Sequence, residues 1–151
     1  MVLDARSGRY ADEDAFEAAV VAAASVTVRA LRDEMDVTVI AGDHAMDRVG
    51  IAHTLDGYSR VQPVELSLPE LTGRLASLAP TTSIALIVTG AEHPFAQLRR
   101  ATAQFGPSVR VVVLRVALQG ASSATSVHGM TVLTLGQLSD LPRLIGIGVL
   151  G

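Results

Sequence analysis

The chain has 151 residues, 49% of them hydrophobic but only 3% aromatic, with a formal net charge of −3 and no cysteine. That length fits one domain that buries roughly 68–70% of the surface its unfolded chain would expose, in a core of Ala, Val, Leu and Ile. The twelve cations are all Arg and scattered, so no field gathers phosphates for sequence-independent nucleic-acid binding. Without thiols there is no disulfide, thiol nucleophile or thiolate metal site, and a reducing cytoplasm is compatible.

Met1-Val2-Leu3-Asp4-Ala5 reads as the last residues of a buried strand, short enough to suggest a chain that begins earlier in a longer protein. It has no signal-peptide pattern, and no apolar stretch approaches the ~20 residues that span a bilayer. Asp12-Glu13-Asp14 then opens a helix predicted over 12–34, with Asp14 and Glu17 at capping-box spacing. Phe16, Val20, Ala23, Thr27 and Leu31 share one face, and the Ala-rich remainder predicts a helix largely covered against a sheet. Val37–Ile40 reads as a short buried strand stopped by Gly42-Asp43, after which Thr54 would cap a helical turn carrying Leu55, Tyr58 and Val61.

Ser67-Leu68-Pro69-Glu70 places Pro in the first turn of a helix that bears Leu71, Leu75 and Leu78 on one side and closes at Pro80. Ser83–Thr89 is the clearest central strand, because Ile84–Val88 is continuously apolar. A helix from Pro94 to Phe105, a strand from Val109 to Leu118, a loop over 120–126 and a strand over Met130–Leu135 follow. A last helix starts at Ser139–Pro142, with Gly146 and Gly148 making its end ragged. Alternating strands and helices predict a single α/β domain, three layers with helices on both faces of a mostly parallel sheet, of Rossmann-like type.

In such folds ligands bind beyond the carboxyl ends of the strands. Asp4 and Ser7 offer one carboxylate and one hydroxyl there, too few for Mg²⁺ or Ca²⁺, and a turn or cap role is the simpler reading. Asp43, His44 and Asp47 hold the groups for an oriented imidazole, although any polar loop after a strand yields the same letters. Thr89-Gly90-Ala91-Glu92-His93-Pro94 turns from strand to helix, where backbone N–H groups favour an anion. His93 reads as a surface residue, and His53 and His128 as structural or solvated. The glycine fingerprints of dinucleotide and P-loop sites are absent, as is the G-x-S-x-G elbow, so no catalytic residue, metal or cofactor is assigned.

Leu3–Arg6, the stretch Phe16–Ser25, Thr54–Val61, Val88-Thr89-Gly90 and Val132–Gly136 with Leu138–Pro142 resemble actinobacterial members of domain-of-unknown-function family fifty-eight. The family's upstream Asp-Trp-Arg segment has no counterpart, since the chain has no Trp, consistent with a C-terminal fragment. The resemblance implies a von Willebrand factor A fold on the cytoplasmic side of a membrane-anchored protein that works with a MoxR-type AAA+ ATPase. It also implies a metal held by a D-x-S-x-S turn and a later Asp. Here Asp4 matches the first carboxylate, but Arg6 and Gly8 stand at the two Ser positions and Gly90 where the later Asp belongs. Arg6 would bring a cation towards the metal, so that site reads as degenerate.

The leading expectation is a non-enzymatic protein-interaction or scaffold domain that binds a protein partner through Asp4, Arg6, Ser7, Asp43, His44, Thr89, Gly90 and His93. The alternative is a Rossmann-like enzyme or small-ligand domain using the same strand-end loops, and a third reading is a purely structural domain. Tyr10, Tyr58 and Phe95 are the aromatics available as interface anchors, with core burial the expected fate of each.

Overall fold

A computed structural model describes residues 1–150, with the Leu150 side chain outside the described set. Along the chain run β1 (Val2–Leu3), α1 (Glu13–Arg32), β2 (Thr38–Ala41), β3 (His44–Asp47), α2 (Ile51–Ser59) and α3 (Leu68–Leu78). Then come β4 (Ile84–Gly90), α4 (Phe95–Thr102), β5 (Arg110–Val116), β6 (Ser123–Val127), β7 (Met130–Leu135) and α5 (Leu141–Leu150). They form a seven-stranded sheet in the order β3-β2-β1-β4-β5-β7-β6. Five strands are parallel, and β3 and β6 close the two edges antiparallel.

The continuous apolar run of β4 follows from its central position. Leu86 and Val88 enter a core layer with Phe16, Ala19 and Ala23 of α1, Tyr58 of α2 and Leu144 of α5. Ile87 enters the opposite layer with Leu71 and Leu75 of α3 and Leu98 of α4. Successive residues of a strand point to opposite faces, so a strand covered on both sides must be apolar throughout. The fold is therefore three-layered α/β, and no helix among the described residues is long and apolar enough to cross a membrane.

Several local expectations are corrected. Asp12, not Asp14, caps α1, accepting the Ala15 N–H at 2.8 Å. Thr54 lies inside α2, where its hydroxyl donates to the Gly50 carbonyl, and Gly50 is the cap. Pro69 stands in the first turn of α3 as expected, where Ser67 and Glu70 also form a capping box, but Leu78 at its end is exposed. α5 runs through Gly146 and Gly148, because the latter's bare Cα sits against Leu133 and Val112.

Two edge strands escape the sequence pattern. β3 turns back from β2 through Gly42, whose φ of +57° suits the first central position of a tight hairpin turn. β6, expected to be a loop, pairs with β7 across His128-Gly129, both at positive φ as a type I′ turn requires. β3 buries only Met46 and β6 no residue fully, so periodicity does not register them.

Candidate functional site

The strand order reverses between β1 and β4, with β2 outside one and β5 outside the other, so the topological switch point lies at the carboxyl ends of Leu3 and Gly90. There the chain buries Asp4, Thr89 and His93, exposed by 1%, 0% and 2% respectively. The Thr89 hydroxyl donates to Asp4 Oδ2 at 2.8 Å and the Arg6 N–H to Asp4 Oδ1 at 3.1 Å. Tyr10 Oη donates to the Asp4 carbonyl at 2.5 Å.

His93 Nδ1 donates to the Pro94 carbonyl at 3.3 Å, and Nε2 lies 3.6 Å from Asp4 Oδ2, beyond hydrogen-bond range. Burial raises the Asp4 carboxyl above its usual range, opposed by the Thr89 and Arg6 donors and by the His93 and Arg9 charges. Burial likewise lowers the His93 imidazole, aided by Arg9 and Arg115 and opposed by the Pro94 carbonyl and Asp4. Both directions favour a pair with reduced charge, since a low-dielectric pocket penalises ions.

A roof covers this cluster. The segment from Arg6 to Tyr10, with a 3₁₀ turn at Ser7–Arg9, crosses the crevice so closely that a Cβ at Gly90 would lie 1.7 Å from the Arg9 carbonyl oxygen. That carbonyl accepts the Glu92 N–H at 3.1 Å, and the Arg9 guanidinium reaches Gln97 Oε1 on α4 at 3.0 Å. Below the roof Phe16 meets the Tyr10 ring edge-on, with centroids 5.3 Å apart. The Arg115 guanidinium donates to the Ala91 carbonyl and leaves Nε buried without a partner.

The expected site residues therefore divide. Asp4, Thr89 and His93 converge, and Gly90 packs against the roof. The surface placement expected for His93 is overturned, because the turn after β4 folds its ring inward. Arg6 does not bring its cation to Asp4 as expected; its guanidinium pairs with Glu65 at 3.2 Å and only its backbone N–H contacts the carboxylate. Ser7 is exposed and its carbonyl accepts the Tyr10 N–H.

Asp43 and His44 face each other at 3.5 Å on the half-exposed β2–β3 hairpin, while Asp47 accepts the Thr38 hydroxyl at its far end, so the three do not converge. Tyr10 and Tyr58 are buried as expected, but Phe95 is 37% exposed. Sequence reasoning missed Arg9 and Arg115, whose spacing carries no motif.

A divalent cation does not fit the Asp4 turn. The carboxylate oxygens already accept two donors, Gly90 supplies no oxygen, and the Arg9 and Arg115 charges oppose a cation. Among the described residues no group of three or more His, Asp or Glu is placed to hold a metal. A shallow groove of about 580 Å³ lies between α1 and the segments that follow β5 and β7. It is lined by Val21 and Leu138, exposed by 47% and 40%, and by Leu118, Asp14 and Glu17. Comparison with known proteins finds no matching family model, no matching curated protein and no matching solved structure.

Proposed function

We propose that this domain is a non-enzymatic protein-interaction or scaffold module of von Willebrand A type with a degenerate metal turn, belonging to a membrane-anchored protein of family fifty-eight type. The observation that carries this reading is the roofed switch point: the crevice where a doubly wound fold receives its ligand is filled by the chain's own Arg6–Tyr10 segment against Gly90. An enzyme needs a nucleophile, a base and oxyanion donors open to one pocket, and here the convergent polar groups are spent on one another. An interaction surface needs apolar anchors beside polar groups, and Val21, Leu118 and Leu138 line the groove with Asp14 and Glu17. The resemblance names a MoxR-type AAA+ ATPase as the partner to test.

Two titrations decide it. Calorimetry with Mg²⁺, Mn²⁺ and Ca²⁺ is expected to give no saturable binding, while a purified MoxR-type ATPase is expected to bind the domain and to lose affinity for Val21→Glu. Micromolar metal binding that disappears in Asp4→Asn would replace this reading with metal-dependent adhesion. Failure to bind the ATPase removes that partner.

A further inference from the structure

The two edges of the sheet are built differently. At one edge β3 carries His44 and Asp47, flanked by Asp43 and Arg48, and charges of this kind guard an edge against pairing with another chain. At the other edge β6 is Ser123-Ala124-Thr125-Ser126-Val127, without a charge or a proline, and its first four residues are exposed. No charged residue occurs between Gln119 and His128, and among the described residues no strand pairs with the outer side of β6.

The hairpin register determines which backbone groups point outward. Val127 pairs with Met130 across a two-residue turn, which makes it a hydrogen-bonded pair; Thr125 with Val132 and Ser123 with Thr134 follow in the alternation. Ala124 and Ser126 therefore turn both N–H and C=O away from the sheet. Two outward residues flanking one inward residue are self-complementary about a twofold axis through Thr125.

We infer that β6 is a homodimerisation edge, on which a second copy of this chain adds its own β6 antiparallel, with Ala124 opposite the second copy's Ser126 and Thr125 opposite its counterpart. Four N–H···O bonds form, two from each outward pair. The symmetry axis brings Thr against Thr, a favourable cross-strand pair, and no like charges meet. The sheet becomes continuous over fourteen strands, twice the seven of one chain. A five-residue edge buries less than the roughly 1,200 Å² of a standard interface, so the dimer is weak and concentration-dependent. This inference is independent of the ATPase partner and of the Asp4 cluster.

The absence of cysteine makes a clean test available. In a non-hydrogen-bonded pair the Cα atoms stand about 4.5 Å apart, within disulfide reach. Thr125→Cys is expected to oxidise selectively to a covalent dimer, whereas Ser25→Cys on the exposed side of α1 is not. Sedimentation of the unmodified chain from low micromolar to near-millimolar concentration is expected to show a monomer–dimer equilibrium. Thr125→Lys, which sets two ammonium groups across the axis, is expected to weaken the dimer by about tenfold, or about 1.4 kcal/mol. Ala124→Pro removes an outward N–H without touching the bonds to β7 and should do the same, with far-UV circular dichroism unchanged in both variants. A chain that stays monomeric throughout overturns the inference. So does a dimer that neither variant weakens and that Thr125→Cys does not trap.

Discussion

Gly90 and Arg9 stand so close that the Arg9 carbonyl oxygen occupies the space of a Gly90 Cβ, at 1.7 Å from where that atom would be. The glycine at the end of β4 is thus a steric requirement of the roof over the switch point. Gly90→Ala is expected to destabilise the fold by about 3 kcal/mol, the upper part of the overpacking range, because the obstructing atoms are backbone and cannot rotate away. Gly8→Ala, where a Cβ meets nothing within 4 Å, serves as the control and should shift the urea midpoint little. Equal midpoints for the two variants would show that the roof yields freely.

Thr89→Val tests the bond that ties β4 to β1. The substitution keeps the branched shape but removes the hydroxyl that donates to Asp4 Oδ2 at 2.8 Å. Leaving a buried acceptor without its donor costs about 1–3 kcal/mol. Chemical denaturation is expected to show a loss of that order, and one below about 0.5 kcal/mol would mean the carboxylate finds another donor.

Phe16→Ala probes the packing beneath the roof. The ring is buried and meets Tyr10 edge-on, so the substitution both opens a cavity and loses an aromatic contact. A destabilisation of about 3–5 kcal/mol is expected. An unchanged midpoint would place the ring outside the cooperative core.

The buried imidazole predicts a pH dependence with a definite sign. His93 has a folded-state pKa lowered below its ordinary 6.5 by burial, so the unfolded chain takes up a proton before the folded one does. Its contribution is fully present above 6.5 and is lost as pH falls from there through the lowered value. Asp4 works in the opposite sense: with its pKa raised, its contribution is present below the ordinary carboxylate range and lost as pH rises through the raised value. Denaturation midpoints measured from pH 7.5 downwards are therefore expected to fall less steeply for His93→Gln than for the unsubstituted chain. Identical slopes would mean that His93 titrates freely in the folded state.

The sequence alone determined the layers and most of the elements of this protein. The uninterrupted Ile84–Val88 run reads as a strand covered on both faces, and it lies at the centre of the sheet. Pro69 marked the first turn of α3, because its fixed φ and missing N–H suit that position of a helix. The Asp4 cluster was legible only in part. Asp4 and Thr89 were placed at strand ends by pattern, but their bond joins residues 85 apart in sequence. Only the parallel pairing of β1 with β4 brings them together. His93 reads as a surface histidine because nothing nearby in sequence marks it as buried; the Arg6–Tyr10 roof, which follows the carboxyl end of β1, covers it. β6 was hidden for the converse reason. An edge strand with no buried face has no hydrophobic period, so its pairing rests on the His128-Gly129 turn and on the ladder that β7 offers.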